Sequence, residues 1–198
     1  MLIVRRRVLV ALLVLAPGLS AGGWALFLSL TGNIHAISPG VAYRSAQLDS
    51  SQLAETIDRF GIRAVINLRG DNAGEPWYAD ERAVAAQHGA RHYDIGMYAK
   101  SEPPPETLKR VLEVLRVAPR PLLIHCYGGA DRSGLVAAIY KHFVEGEPVD
   151  EAERQLSFLY GHFPWIGGTD AMDKTFRRLT ASDGRLLSRV LAATPARN

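Results

Sequence analysis

Residues 121–143 restrict the fold of this chain more than any other stretch, because a strand, a tight turn and a helix follow one another there without a gap. The apolar residues 122–124 after Pro121 predict a short buried strand. The turn starts with Cys126, contains two glycines and finishes with Arg132. A helix follows, since one of its faces collects Leu135, Ala138, Ile139 and Phe143.

The turn between this strand and this helix has the composition of an oxyanion cradle. A turn that leads into a helix N-terminus points backbone N–H groups inward, and the helix dipole adds partial positive charge. Gly128 and Gly129 permit backbone angles and a close ligand approach that a side chain would obstruct. Arg132 can hold two oxygens of a tetrahedral anion, and the positive field favours the thiolate form of Cys126. A thiolate beneath a bound phosphate predicts phosphoryl transfer to sulfur, followed by hydrolysis.

The rest of the chain alternates between short apolar runs and amphipathic segments. This alternation predicts an α/β fold with a mainly parallel sheet that is covered on both faces. Further strands are predicted at residues 41–44, 64–68 and 91–95. Helices are predicted from Asp49 to Phe60, over 76–88, around 108–115, over 150–160 and over 170–179. Residues 31–40 are predicted to be a connector, and residues 182–193 an amphipathic segment.

The sequence HCYGGADRS at residues 125–133 resembles the HCxxGxxR(S/T) signature of the cysteine-dependent protein tyrosine phosphatases. The resemblance is greatest to their compact dual-specificity branch, which includes bacterial members. YRSAQ at residues 43–47 and VINLR at residues 65–69 also resemble segments of that branch, and the similarity covers roughly residues 37–165. It implies a dual-specificity phosphatase-like fold, with a central, mainly parallel sheet flanked by helices.

The resemblance also implies a role for each residue of the signature. Cys126 would be the nucleophile, and Arg132 would bind the equatorial phosphate oxygens. Ser133 would donate a hydrogen bond to the sulfur, a role that is compatible with an ordinary serine at a helix start. His125 would either orient the turn and tune Cys126 or be a buried structural histidine. The phosphate would be bound by Tyr127, Gly128, Gly129, Ala130, Asp131 and Arg132.

The general acid is the part of the site that the sequence leaves open. Many relatives carry an aspartate on a separate loop some 30 residues before the cysteine, where Tyr98 or a neighbour aligns here. Asp94 at a strand end and Glu102 in a proline-rich loop lie nearby. Some bacterial relatives instead have an aspartate directly before the arginine, as Asp131 is here. A protonated Asp131 would donate to the leaving oxygen, so we expect Asp131 to be the acid, with Asp94 as the alternative and Glu102 or no acid remaining.

Composition excludes several classes of site. Without the arginines at positions 5–7, the chain has 20 basic and 20 acidic residues, so no nucleic-acid surface is predicted. A single cysteine rules out a disulfide within the chain and a cysteine-based zinc motif. The histidines do not cluster at metal-ligand spacing, and we predict neither a metal nor another cofactor.

The N-terminal sequence predicts a membrane segment. After the arginines at positions 5–7, residues 8–30 form an uncharged run of 23 residues, and about 20 suffice to cross a bilayer. The positive cluster keeps its own end cytoplasmic, which predicts a single-pass protein of the bacterial inner membrane with a periplasmic domain. The alternative is a signal peptide cleaved near residues 19–21, which would release the protein into the periplasm.

These features divide the chain into an anchor or signal sequence at residues 1–31, a phosphatase-like catalytic domain at 32–180 and a helical tail at 181–198. We expect a membrane-tethered phosphomonoester hydrolase whose phosphorylated substrate is a protein, a phospholipid or an inositol-type phosphate. A non-catalytic, membrane-tethered phosphate-binding module and a sulfurtransferase are the alternatives. Arg69, after the strand at 64–68, either attracts an anionic substrate or is a solvated loop charge.

Overall fold

The computed structural model describes residues 22–24, 26–181 and 185–192, which form a five-stranded sheet flanked by helices. The strands are β1 (His35–Ser38), β2 (Ala42–Ser45), β3 (Ala64–Asn67), β4 (Arg91–Asp94) and β5 (Leu122–His125). Their order in the sheet is β1-β2-β5-β3-β4. All neighbouring strands are parallel except β1 and β2, so the prediction of a mainly parallel sheet is confirmed.

The helices follow the start and stop signals of the sequence. They are α1 (Ser50–Phe60), α2 (Pro76–Gln87), α3 (Pro105–Val117), α4 (Asp131–Phe143), α5 (Val149–Glu153), α6 (Asp170–Thr180) and α7 (Arg185–Ala192). A capping box begins α1: the Asp49 carboxylate accepts from the Gln52 amide at 2.8 Å, and the Gln52 side chain accepts from the Asp49 amide at 3.2 Å. Gly61 ends α1 in the left-handed conformation, with φ of 61°.

Both faces of the sheet are buried. Successive side chains of a strand point to opposite faces, and the side chains on each face pack in their own apolar cluster. Ile66 and Ile124 pack in one apolar cluster with residues of α3, α4, α6 and α7. Val65 and Leu123, the neighbours of these residues along the two central strands, pack in a second cluster with residues of α1 and α2. The helices therefore cover both faces, as a parallel sheet requires.

The carboxyl ends of the four parallel strands lie at one edge of the sheet. Ser45, His125, Asn67 and Asp94 occupy equivalent positions at the ends of β2, β5, β3 and β4. The segments that follow these strands therefore meet at that edge, where open α/β sheets bind their ligands.

The prediction of a connector over residues 31–40 is wrong for residues 35–38. These residues form β1, which pairs antiparallel with β2. A strand of four residues carries little signal in its own sequence, and its backbone hydrogen bonds come from a partner strand. The pairing decides the structure here.

The helix predicted over residues 150–160 is also wrong, because α5 ends at Glu153 and a separate 3-10 helix covers Phe158–Tyr160. In a continuous helix the Gln155 carbonyl would accept from the amide four residues later. Here that carbonyl accepts from the Arg44 side chain at 2.7 Å. A buried arginine in β2 thus takes the place of a helical hydrogen bond.

The ends of the described chain contact the domain. Residues 22–24 and 26–30 are helical, Leu28 is buried, and the Trp24 indole donates to the Phe158 carbonyl at 3.3 Å. At the other end, Leu186 and Val190 of α7 belong to the main core cluster. The predicted domain limits and the expected periplasmic location stay predictions.

The predicted membrane anchor falls mostly outside the described residues, as does the cleavage site at residues 19–21 that was its alternative. Among the helices of the part of the chain that the structure describes, none has the length and apolar character needed to cross a bilayer.

Candidate active site

Residues 126–132, here called the cradle loop, connect β5 to the first turn of α4. The four carbonyls of residues 127–130 are each bonded to a donor from outside the loop. The donors are the Gln47 amide at 3.0 Å, the Asn33 side-chain amide at 2.9 Å, and Arg44 Nη2 at 3.0 and 2.7 Å. The scaffold therefore fixes the orientation of four successive peptide groups.

The amides of residues 128–131 belong to the same four peptide groups and face the opposite way, because the carbonyl and the N–H of a trans peptide point in opposite directions. None of the amides of residues 127–133 donates to an acceptor among the described residues. The first helical bond nearby runs from the Gly134 amide to the Ala130 carbonyl at 3.0 Å. A row of unpaired N–H groups at a helix N-terminus is an anion-binding site.

The two glycines of the cradle loop differ in what they require. Gly129 has φ of +68°, and a Cβ there would lie 2.5 Å from the Ala46 amide nitrogen. The predicted need for a glycine is therefore confirmed at this position. At Gly128 the backbone lies outside the left-handed region, and a Cβ would meet no atom within 4 Å. The structure therefore does not require the backbone freedom that was expected of Gly128.

The Cys126 sulfur is buried and lies 3.5 Å from the Ser133 hydroxyl oxygen. That oxygen also lies 3.4 Å from Arg44 Nη2. Since a guanidinium can only donate, the Ser133 oxygen accepts from Arg44, and it also accepts from the Cys126 thiol. Once the thiol has lost its proton, the Ser133 hydroxyl is within reach to donate to the sulfur instead.

Arg132 turns toward the ends of the neighbouring strands. Its Nη1 donates to the carbonyls of Leu68 and Met97, both at 3.3 Å. Its Nε is buried and has no partner among the described residues. One corner of the guanidinium is therefore anchored, and the Nε edge keeps donors for an anion.

Arg44 is the least expected residue of the site, because its side chain is fully buried in β2. Besides its bonds to the cradle loop, it donates to the Gln155 carbonyl and stacks 4.4 Å from the centroid of the Tyr160 ring. Burial lowers the pKa of Arg44 to about 10, although the nearby Cys126, Tyr160 and Asp131 oppose this effect. The side chain is still charged at neutral pH.

A buried carboxylate, Glu81 of α2, supports the loop from the other side. It accepts from the side chains of Gln47 at 2.6 Å, His92 at 2.7 Å and His125 at 3.1 Å. Burial opposes its ionisation, but the bonds from His125, His92 and Gln47 hold the pKa of Glu81 well below its usual value. Because Nε2 of His125 is engaged by this carboxylate, His125 orients the start of the loop.

Asp94, the alternative acid, belongs to a separate network. Its carboxylate accepts from the Tyr78 hydroxyl at 2.7 Å and the Asn67 amide at 2.9 Å, and His92 Nδ1 lies 3.6 Å away. Burial raises its pKa, but the bonds to His92, Tyr78 and Asn67 outweigh burial and lower it. Asp94 is thus held as a carboxylate two strands away from β5, about 10 Å.

Glu102 and Tyr98 do not contribute to the cradle. Glu102 forms an ion pair with Arg178 of α6, with 2.6 Å between oxygen and Nη1. Tyr98 is 83% exposed. The loop that holds the acid in many relatives therefore brings no carboxylate to the cradle loop here.

Asp131, the preferred acid, lies in the first turn of α4 and is bonded to a histidine that the sequence did not single out. His162 Nδ1 is 2.7 Å from the Asp131 carboxylate, and its Nε2 is 2.8 Å from Asp173 of α6. Burial lowers the pKa of His162, but the bonds to Asp131 and Asp173 outweigh burial and raise it to about 9. At neutral pH the His162 imidazole is therefore protonated and donates to both carboxylates.

A groove of about 670 Å³ opens beside the cradle loop. Gly128 and Asp131 form part of its wall, and apolar atoms of Trp24, Leu28 and Phe163 form another part. Asn33 and Gln47, which bond the outward carbonyls of the cradle loop, also line this groove, whereas Cys126 and Arg132 do not.

The structure thus brings together the signature residues, 125–133, and leaves Asp94 and Glu102 outside. Sequence reasoning missed the residues that support them: Asn33, Arg44, Gln47, Glu81, His162 and Asp173. Arg44 and Gln47 lie within YRSAQ at residues 43–47, a segment that resembles the family but whose residues the sequence analysis gave no role. His162 lies 31 residues from Asp131 and has no local signal.

Comparison with known sequences gives related proteins for most of the chain. A sequence profile described as the tyrosine phosphatase family matches residues 27–151. The dual specificity protein phosphatase TpbA of Pseudomonas aeruginosa is 32% identical over 125 residues, which make up 62% of this chain and 52% of TpbA. The chain therefore spans about half the length of this curated relative.

Solved structures share the fold. The crystal structure of P. aeruginosa TpbA has a TM-score of 0.60 and 24% identity, covering 81% of this chain and 89% of TpbA. A TpbA cysteine-to-serine variant in complex with pTyr has a TM-score of 0.59 at the same identity, covering 81% of this chain and 90% of that one. The catalytic core of the PP-IP phosphatase SIW14 from S. cerevisiae has a TM-score of 0.55 and 19% identity, covering 79% of this chain and 91% of that one.

Proposed function

Because the chain belongs to the tyrosine phosphatase family, we propose that it is a cysteine-dependent phosphatase that acts through a phosphocysteine intermediate. One observation carries this proposal. Four outward carbonyls of the cradle loop are held by the scaffold, while the amides of residues 127–133 have no acceptor among the described residues. This arrangement binds a tetrahedral anion next to Cys126.

In the first step, the Cys126 sulfur attacks phosphorus and the ester P–O bond breaks. The cradle amides and the free edge of Arg132 bind the equatorial oxygens, where charge develops in the transition state. The hydroxyl of Ser133 donates to the sulfur and makes it a better nucleophile and, later, a better leaving group.

In the second step, a water molecule attacks the phosphocysteine, the S–P bond breaks and inorganic phosphate leaves. Cys126 returns to its thiolate. The cradle amides and Arg132 bind the same oxygens again, so one electrostatic site serves both transition states.

For the proton, we propose Asp131 together with His162. The pair holds one proton between Nδ1 and the carboxylate, which are 2.7 Å apart. It gives this proton to the leaving oxygen in the first step and takes one back from water in the second. Asp173, at the other imidazole nitrogen, keeps the ring oriented and protonated. Asp131 thus acts as a carboxylate that shares a proton, which differs from the isolated protonated aspartate expected from the sequence.

A variant without the nucleophile tests the proposed function. The full chain should hydrolyse p-nitrophenyl phosphate, and Cys126→Ser should lower kcat by at least about a thousandfold. Rapid acid quenching should trap one phosphate per wild-type chain on Cys126, as shown by mass spectrometry. A matched control is Ser157→Ala, which should keep its kcat. Ser157 lies outside the cradle loop, and its buried hydroxyl has no hydrogen-bond partner among the described residues. Hydrolysis that persists in Cys126→Ser would contradict the mechanism.

The same variant separates the competing functions. A non-catalytic phosphate-binding module would bind phosphate in both forms and hydrolyse nothing. A sulfurtransferase would carry sulfur, not phosphate, on Cys126. The buried donors arranged around that sulfur favour hydrolysis over either alternative.

The substrate is proposed as a class: a phosphorylated protein side chain, a phospholipid or an inositol-type phosphate. TpbA is named a dual specificity protein phosphatase, and SIW14 a PP-IP phosphatase. We also propose that the N-terminal segment before residue 22 tethers the domain to the periplasmic side of the inner membrane, on the basis of the uncharged run that follows three arginines. Trp24 and Leu28, at the end of that run, contact the domain. Fractionation of cells that express the full chain tests this tether.

A further inference from the structure

Arg69 is held in a fixed position beside the cradle loop. Its guanidinium carbon lies 3.6 Å from the centroid of the Trp77 ring and 5.4 Å from that of Tyr127. Its Nη1 donates to the Gln47 side-chain oxygen at 3.1 Å. The Gln47 amide in turn donates to the Tyr127 carbonyl at 3.0 Å. The contacts that orient Arg69 are therefore also contacts of the cradle loop.

The charge of Arg69 is not neutralised by a direct partner. Among the described residues, no carboxylate lies within 4.0 Å of its guanidinium, and the same holds for Arg132. The charge of Arg132 acts on Arg69, and Arg132 Nη1 donates to the carbonyl of Leu68, the residue before Arg69. Burial and the charge of Arg132 lower the pKa of Arg69, and the more distant Glu81, Tyr127 and Glu75 oppose this effect.

Two guanidinium groups that repel each other, and that have no carboxylate within 4.0 Å among the described residues, form a site for more negative charge than one phosphate supplies. The repulsion between like charges in a partly buried place is relieved when an anion binds to each. Arg132 and the cradle amides serve the phosphate that reacts. Arg69 offers a planar edge with free N–H donors that suits a second phosphate, and the half-exposed setting leaves that edge open to a ligand.

We propose that Arg69 forms a second phosphate subsite, so that the preferred substrate is a small molecule with a second phosphate beside the one that is hydrolysed. This inference rests on the proposed function, because the first phosphate must occupy the cradle loop. Tyr127, which is 72% exposed, belongs to the cradle loop and its ring centroid lies 5.4 Å from the Arg69 guanidinium carbon. An isolated phosphate would use only half of this arrangement.

Arg82 provides a matched control. It lies on α2, the helix that carries Trp77, is exposed, and stacks 5.7 Å from the centroid of the Tyr78 ring. It is thus an arginine on an aromatic ring in the same region, but it has no contact with the cradle loop. Replacing it removes the same charge without touching the proposed subsite.

Calorimetric titration of the full chain tests the proposal, with Cys126→Ser as background to prevent turnover. The probes are inorganic phosphate and myo-inositol hexakisphosphate, whose phosphates sit on neighbouring carbons. Arg69→Met should weaken binding of the hexakisphosphate about tenfold, as expected for lost charge-assisted hydrogen bonds, and binding of inorganic phosphate less than about twofold. Arg82→Met should change neither, and Arg69→Lys should restore part of the loss.

Several results would overturn the subsite. These are equal losses for both probes, an equal loss in Arg82→Met, or a loss as large for a peptide with a single phosphotyrosine. Thermal unfolding of each variant checks that the fold is intact. Failure of the proposed function has a different signature: wild-type chain that binds both probes selectively and hydrolyses no p-nitrophenyl phosphate would contradict catalysis and leave the subsite standing.

Discussion

Arg44 shows how much of the site depends on one buried side chain. Its Nη2 bonds two carbonyls of the cradle loop, and its Nη1 bonds the Gln155 carbonyl. Burying a guanidinium is costly unless each donor has a partner, and here the partners are backbone groups whose orientation the site needs. Arg44 is therefore a positioning residue that turns the amides of the loop toward the anion.

Replacing Arg44 by lysine should distinguish the effect of its positive charge from the effect of its several hydrogen bonds. Arg44→Lys keeps the positive charge, but one ammonium cannot reach both the cradle carbonyls and Gln155. We expect kcat/KM for p-nitrophenyl phosphate to fall about a hundredfold, with weaker binding of inorganic phosphate, because the amides lose their fixed direction.

The control for that experiment is Arg120→Lys. Arg120 also donates to two backbone carbonyls, of Ala118 at 2.8 Å and Leu115 at 2.7 Å, but these lie at the end of α3. The Arg120→Lys variant should be less stable than the wild type and have the same kcat/KM. If Arg44→Lys changes only the melting temperature, as this control does, Arg44 has no part in positioning the loop.

At the scale of elements, the early end of α5 has a functional consequence. After α5 ends at Glu153, the Gln155 carbonyl accepts a hydrogen bond from Arg44. The 3-10 helix then follows at Phe158–Tyr160. Gly161 then turns the chain with φ of 82°. This path places His162 between α4 and α6, in contact with a carboxylate from each.

Removing either member of the Asp131–His162 pair should affect substrates according to their leaving groups. Asp131→Asn and His162→Asn should lower kcat for alkyl phosphates about a hundredfold. The loss on p-nitrophenyl phosphate should be far smaller, because p-nitrophenolate leaves without a proton. The basic limb of the pH–rate profile for alkyl phosphates should disappear in both variants.

Asp58→Asn is the matched control, because Asp58 pairs with His88 at the same 2.7 Å distance on the surface. It should leave the rates on both substrates unchanged. Equal losses on alkyl and aryl phosphates in Asp131→Asn would exclude a role in proton transfer.

At the scale of the whole molecule, the buried His162 and the partly buried His92 make stability depend on pH. Burial lowers the pKa of His92, but its bonds to Asp94 and Glu81 outweigh burial and raise it to about 9, and the pKa of His162 is also about 9. Both lie above the value of about 6.5 in an unfolded chain. Their stabilising effect is thus complete below about pH 6.5 and is lost as the pH rises through about 9.

The melting temperature should therefore fall between pH 7 and pH 10. Each histidine contributes about 3 kcal/mol at most, so the two together set an upper limit of about 12–24 °C on the decrease for a domain of this size. Scanning calorimetry on Cys126→Ser, which has no thiol, measures the decrease. His92→Asn should start from a lower melting temperature and show a shallower fall. A melting temperature that stays constant over this range would show that neither imidazole is stabilised in its charged form.

The sequence by itself determined the cradle loop and the order of strands and helices, because these depend on neighbours in the chain. Cys126 and Arg132 are six residues apart on one turn, Asp49 and Gln52 cap α1 by themselves, and apolar periodicity marks the segments that must be buried. Only the tertiary structure decided the pairing of β1, the end of α5 and the partners of Asp131. Each of these depends on a buried polar or backbone group that finds its hydrogen bond far along the chain, from Arg44 to Gln155 or from Asp131 to His162. No local pattern encodes such a partner, since it is the cost of leaving the group unpaired in the folded interior that selects it.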